Sequence, residues 1–134
     1  MTPKNIAKSF YELDLAKDES AINFIHPNCE LKWHSSKGFT IFDYSAIESM
    51  LKEIRRSYET FKYKISHLLQ DDNTVTIRYS INAASIERPT KFEPLAHFIS
   101  IWETKDGKLY KGFEISQLAD DSSESLNSYA EIKV

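Results

Sequence analysis

The sequence of 134 residues has one cysteine, three glycines and four prolines. A single thiol cannot close an internal disulfide, so the fold rests on its core, and the cysteine count suits a reducing compartment. Three glycines leave little from which to build a phosphate cradle, and neither a Gly-x-Gly-x-x-Gly run nor a Gly-x-Ser-x-Gly elbow occurs. No stretch approaches the roughly 18 apolar residues of a membrane-spanning helix. No apolar segment of roughly 7–15 residues follows Met1-Thr2-Pro3-Lys4-Asn5 either. The expected address is therefore the cytoplasm, away from membranes. Positive charge is also short: 17 Lys and Arg face 20 Asp and Glu, a net charge of −3. Nucleic acid, which demands clustered positive charge, is not an expected partner. The four histidines, at 26, 34, 67 and 97, never fall in His-x-His or His-x-x-x-His spacing. No metal and no cofactor is expected. Cys29 lacks a Cys-x-x-Cys partner and reads as a small buried hydrophobe.

What remains is ordinary globular composition, 41% hydrophobic and 13% aromatic. A chain of this length buries roughly 68% of its unfolded surface in one domain. Residues 3–16 read as a helix capped by Thr2 with Pro3 in its first turn; Ile6, Phe10 and Leu13 form its apolar stripe. Asp18 caps a second, short helix that His26-Pro27-Asn28 ends. Residues 29–34 alternate as a strand, and Ser35 to Thr40 reads as a loop. Ser45-Ala46-Ile47-Glu48 has the form of a capping box, opening a third helix that runs to about Tyr58. The period then changes from helical to two. Strands are expected at 61–70, 74–84, 95–104 and 108–118, with a tight Asp-Gly turn at Lys105-Asp106-Gly107. Three helices segregated from a mostly antiparallel sheet give an α+β fold. Residues 119–134 form a tail, for which Tyr129 and Ile132 are the expected anchors on this chain or a neighbour.

Three runs carry a family resemblance. They are Phe24-Ile25-His26-Pro27-Asn28-Cys29-Glu30-Leu31, then Phe39-Thr40-Ile41-Phe42 leading to Ile47 and Met50, and Ile101-Trp102-Glu103-Thr104-Lys105-Asp106-Gly107-Lys108 ahead of a strand with Glu114 and Gln117. Over residues 3–118 the chain resembles the NTF2-like superfamily and, within it, the SnoaL-like small proteins. It departs at Asp43, where relatives usually have Gly. The resemblance implies a cone-shaped, strongly curved sheet closed by three helices (the NTF2-like or cystatin-like roll). It also implies pairing through the outer sheet face, hence a homodimer.

The resemblance does not carry the ketosteroid isomerase mechanism across. The base position of that branch falls at or beside Trp33, its acid near Ala96, and its Tyr near Phe10, next to Tyr11. It does turn Tyr110, Gly112, Glu114 and Ser116 toward the cone. A carboxylate in an apolar cavity has its charged form disfavoured unless hydrogen bonds compensate. Trp33, Tyr44, Tyr79, Phe98, Trp102 and Tyr110 are the aromatic candidates for the cone wall, and together they suggest a roomy pocket. His34 is a candidate for its rim. The ligand-binding set is thus Trp33, His34, Tyr79, Phe98, Trp102, Tyr110 and Glu114. The leading expectation is binding of a small apolar or aromatic molecule, polycyclic ligands included, without clear catalysis. The alternatives are a lyase- or isomerase-type enzyme with Glu114 as general base, and a dimeric scaffold for protein binding.

Overall fold

A computed structural model of the chain describes residues 1–120, Glu124 and Ser128. The expected tail anchors Tyr129 and Ile132 lie outside the described residues. Helix α1 spans Pro3–Tyr11, a 3-10 helix Glu19–Phe24, strand β1 Ile25–Ser35, β2 Gly38–Asp43 and helix α2 Tyr44–Ser57. Four long strands follow: β3 Tyr58–Asp71, β4 Thr74–Ser85, β5 Glu93–Lys105 and β6 Lys108–Leu118.

Thr2 caps α1, its hydroxyl accepting from the Asn5 N–H at 3.1 Å. The helix stops at Tyr11 rather than near residue 16 because Asp14 offers the backbone a better partner. Its carboxylate accepts the N–H groups of Ala16 and Phe61, both at 3.0 Å, and the Leu15 N–H donates to the Phe61 carbonyl. That turn stitches the segment to β3 and buries Leu15 completely. At α2 the capping group is Asp43, whose carboxylate accepts from the Ala46 N–H at 2.8 Å. Ser45 therefore lies inside the helix, and the expected Ser45–Glu48 box is not the cap. The residue at which the sequence departs from its look-alikes is the one that starts the helix.

The segment read as a loop at 35–40 folds back as β2, antiparallel to β1, after a turn in which Gly38 takes φ +117°. It was hidden because β2 is short, lies at the sheet's edge and exposes most of its side chains. Nor is it His26-Pro27-Asn28 that ends the short helix, which stops at Phe24. β1 runs through those three residues, with its register against β6 shifting between Ile25 and Glu30, around Pro27. Between β5 and β6 both turn residues, Asp106 and Gly107, are left-handed, as a two-residue hairpin requires.

The six strands form one mixed sheet in the order β2-β1-β6-β5-β4-β3. Every neighbouring pair is antiparallel except β1 with β6. That parallel pair sets Leu31 opposite Gly112 and Trp33 opposite Glu114. The sheet is curved and unclosed. Ile6, Phe10 and Tyr11 of α1 and Ile47, Leu51 and Ile54 of α2 complete one core with its concave face. Among the described residues no helix is long and apolar enough to cross a membrane.

At Gly112 the side chains of both neighbouring strands press against β6. A Cβ there would lie 2.6 Å from Leu31 Cδ1 and 2.7 Å from the Trp102 ring. Trp102 crosses this gap to reach Tyr11, so the missing side chain is what lets the indole lie flat on the strand. Gly112→Ala is expected to destabilise the protein by about 1–3 kcal/mol, the usual cost of overpacking. Urea unfolding measures it, and a shifted tryptophan emission in the folded variant would show that the indole has moved. Unchanged stability and emission would contradict this packing.

Candidate functional site

Between the two helices and the concave face lies a cavity with about 80 Å³ of free space. Its walls are almost wholly apolar, and Glu114 is the one charged residue lining it among the described residues. The rings fill much of the hollow themselves. Tyr79 stacks on Phe98 at 5.2 Å and 3°, Phe98 stacks on Trp33 at 6.1 Å, and Tyr11 meets Tyr63 and Tyr79 at 4.7 and 4.8 Å. The roomy pocket expected from the aromatic count is therefore a small one. About 150 Å³ is needed to hold a benzene molecule in an apolar cavity. A polycyclic ligand does not fit this space with the rings where they stand.

Strand alternation sends Phe98, Ser100 and Trp102 of β5 inward together with Glu114 of the neighbouring β6, and β5 pairs Ser100 directly with Glu114. The Ser100 hydroxyl donates to Glu114 Oε1 at 3.0 Å and the Tyr79 hydroxyl donates to the same oxygen at 3.1 Å. The two hydroxyl oxygens are 2.8 Å apart. Two hydroxyl protons thus serve three short contacts, so the set is shared rather than fixed. Oε2 has no hydrogen-bond partner among the described residues and is not a fully buried orphan. Glu114 is half-buried, and the surface it keeps lines the cavity. Desolvation pushes its carboxyl up to about 7, with the Ser100 and Tyr79 hydrogen bonds holding it down in part.

A second polar pair stands in the same wall. The Trp102 indole N–H donates to the Tyr11 hydroxyl at 2.8 Å. An indole only donates, so Tyr11 keeps its own proton for another acceptor. Burial, then the charge of Glu114, raise the Tyr11 phenol far above its ordinary range, so it stays a neutral donor. Burial raises Tyr63 and Tyr79 as well. Cys29 is buried and its thiol is pushed up to about 12, chiefly by desolvation. It is inert as a nucleophile.

Of the seven residues singled out in the sequence, the structure brings Trp33, Tyr79, Phe98, Trp102 and Glu114 to one cavity. His34 does not reach it. Adjacent strand residues point to opposite faces, and His34 is exposed, its ring 4.6 Å from Phe39 of β2. Tyr110 does not reach it either. Leu109 and Gly112 are both buried, an odd spacing that breaks the alternation, and β5 shifts register beside them between Glu103 and Thr104. Tyr110 packs on His26 at 4.8 Å instead. Tyr44 packs against the core without lining the cavity. Ser100, Tyr63 and the role of Tyr11 were missed. Tyr11 had one available signal, its place a turn after Ala7 on the buried stripe of α1. Among the described residues no cluster of three or more His, Cys, Asp or Glu side chains has the form of a metal site.

Glu114 ties stability to pH. Its folded carboxyl titrates near 7 and the unfolded one near 4.5, so between those values the folded state holds the extra proton. Stability then falls as pH rises through this window, by up to roughly 3 kcal/mol. Below about pH 4.5 both states are protonated and the contribution is flat. Glu114→Gln is expected to gain stability relative to the wild type between pH 5 and pH 8, measured by urea unfolding at each pH. Parallel profiles would show that the carboxylate is not desolvated.

No family model matches the sequence, and no curated protein matches it. Solved structures do. IdmH from Streptomyces antibioticus, described as a candidate polyketide cyclase, is 12% identical with a TM-score of 0.66, covering 97% of this chain and 99% of its own. A candidate SnoaL-like polyketide cyclase from Shewanella denitrificans is 9% identical with a TM-score of 0.65 and 96% coverage of both chains. An uncharacterised cystatin-fold protein from Novosphingobium aromaticivorans is 12% identical with a TM-score of 0.66, covering 86% of this chain and 98% of that one. At such identities the likeness is one of fold. The chain has the NTF2-like, cystatin-like fold that these proteins share.

Proposed function

We propose that the protein binds a small, largely apolar molecule whose polar head enters this cavity while its body stays outside it, and reads that head through one contact at Glu114 Oε2. The observation that carries the reading is the second carboxylate oxygen: its twin is held by Tyr79 and Ser100, while it has no hydrogen-bond partner among the described residues and Glu114 lines an apolar cavity. Ligand sites combine such walls with few convergent polar groups. The neighbours described as candidate polyketide cyclases favour an oxygenated ring compound as ligand class. A nuclear magnetic resonance titration with p-cresol at pH 8 tests it. Saturable shifts around Glu114 and Tyr79 are expected, with affinity about tenfold weaker in Glu114→Gln, the scale of a hydrogen bond to a charged group. Absence of saturable shifts in the wild type would overturn the reading.

A second reading has Glu114 as general base in a lyase or isomerase reaction. It is favoured by a carboxyl poised near neutral pH in the same wall as a neutral Tyr11 phenol. The same sample distinguishes it from binding alone. A base exchanges the α-protons of cyclohexanone for deuterium in D2O, and Glu114→Gln slows that exchange by about a hundredfold or more. A binder gives only the background rate.

The convex face of the sheet suggests a homodimer. Ile99 lies opposite Ile115 and Ile101 opposite Phe113, and all four are exposed. A contiguous apolar surface of this kind marks an interaction site. A dimer is expected by light scattering, and a monomer for Ile115→Lys with an unchanged melting profile. A monomeric wild type would remove the proposal.

A further inference from the structure

Beyond Trp33 and Phe98 lies a second space of about 230 Å³ that shares four wall residues with the inner cavity: Trp33, Phe61, Ile81 and Phe98. These side chains partition one hollow into two compartments. The inner one is too small for a ring, and the outer one exceeds the roughly 150 Å³ that accepts benzene. Trp33 is fixed in the partition by its indole N–H, which donates to the Ser116 hydroxyl at 2.8 Å. Glu114 and Ser116 lie two residues apart on the same side of β6, about 7 Å along the strand. That is the length of one substituted ring.

The outer compartment's polar atoms are mostly committed. Ser116 holds Trp33, and the Ser35 hydroxyl accepts the Lys37 N–H at 3.2 Å. Lys37 is the one charged residue lining this compartment among the described residues, as Glu114 is of the inner one. The lining therefore includes a lysine at its outer part and a glutamate at its inner part, with rings between.

We infer that the two compartments form one tapered site for a single-ring ligand that is anionic at one end. A small hydrogen-bond-donating head passes the partition to Glu114, the ring occupies the outer compartment, and an anionic substituent meets Lys37. Trp33 sets the number of rings admitted. The inference rests on the binding reading above and adds the ligand's shape and charge to it.

The test compares three probes at pH 8, where the Glu114 carboxylate is mostly ionised: p-cresol, 4-hydroxyphenylacetate and the two-ring 6-hydroxy-2-naphthoate. The wild type is expected to bind 4-hydroxyphenylacetate about fivefold more tightly than p-cresol, the scale of one exposed ion pair. Lys37→Gln makes those two probes equal. The naphthoate binds the wild type more weakly than 4-hydroxyphenylacetate does, and Trp33→Ala reverses that order. Should Trp33→Ala not fold, Trp33→Phe keeps a ring, releases the Ser116 tie and shifts the ratio in the same direction. Equal binding of the two small probes by the wild type, or a probe order that neither tryptophan variant changes, overturns the tapered site. In that case p-cresol binding that still weakens in Glu114→Gln leaves the simpler binding reading standing. If p-cresol does not bind the wild type, both fall together.

Discussion

A carboxylate inside an apolar hollow is the constraint around which this molecule is arranged. Burying an ionised carboxylate without partners is prohibitive, and the group neutralises itself or finds donors. Glu114 does part of each. Two hydroxyls converge on one oxygen, and the carboxyl still rises to about 7. The donors come from two neighbouring strands, Ser100 on β5 and Tyr79 on β4. Their placement explains an otherwise odd feature of β5: a serine with no solvent exposure between Phe98 and Trp102 on the inward side, while isoleucines at 99 and 101 face outward. Polarity there is inverted because the inner face must hold a charge.

The same wall depends on a side chain that is absent. Gly112 lets Trp102 lie against β6, and from there the indole reaches Tyr11 on α1. A helix, a strand and the floor of the cavity are joined by one hydrogen bond between two buried residues. The parallel pairing of β1 with β6 completes the arrangement by setting Trp33 beside Glu114. Sheet register, more than any local motif, brings these groups together.

That is also why the sequence reveals some of this and conceals the rest. The long strands and the Asp-Gly turn were legible because their periods and turn chemistry are local. Glu114 was legible because the resemblance fixed the direction of its strand. His34 was misplaced through its neighbour: Trp33 faces in, and a period of two sends the next residue out. Tyr110 was misplaced by a break in alternation that only a cross-strand register shift reveals. Ser100 was invisible because an isolated serine between isoleucines reads as the solvent face of a strand, when here the isoleucines hold that position. The Asp43 cap was masked by a better-looking Ser-x-x-Glu pattern two residues later. For Tyr110 and Ser100 a non-local pairing overrode a sound local signal, whereas for His34 and Asp43 the deciding signal was itself local.

The consequence of inverted polarity reaches beyond the cavity. A sheet covered by helices on one side ordinarily turns polar residues to the other. Here Ile99, Ile101, Phe113 and Ile115 leave an apolar patch on the convex side as well, although the concave side already carries a full complement of rings. The two faces serve different ends. The concave face trades some apolar packing for Ser100 and Glu114, which a stable core alone does not require. The convex face exposes apolar side chains that a solitary domain gains nothing by keeping. Departures from the economical pattern on both faces of the same strands, in opposite directions, are what the proposed ligand on the inner side and the proposed second copy on the outer side would each account for.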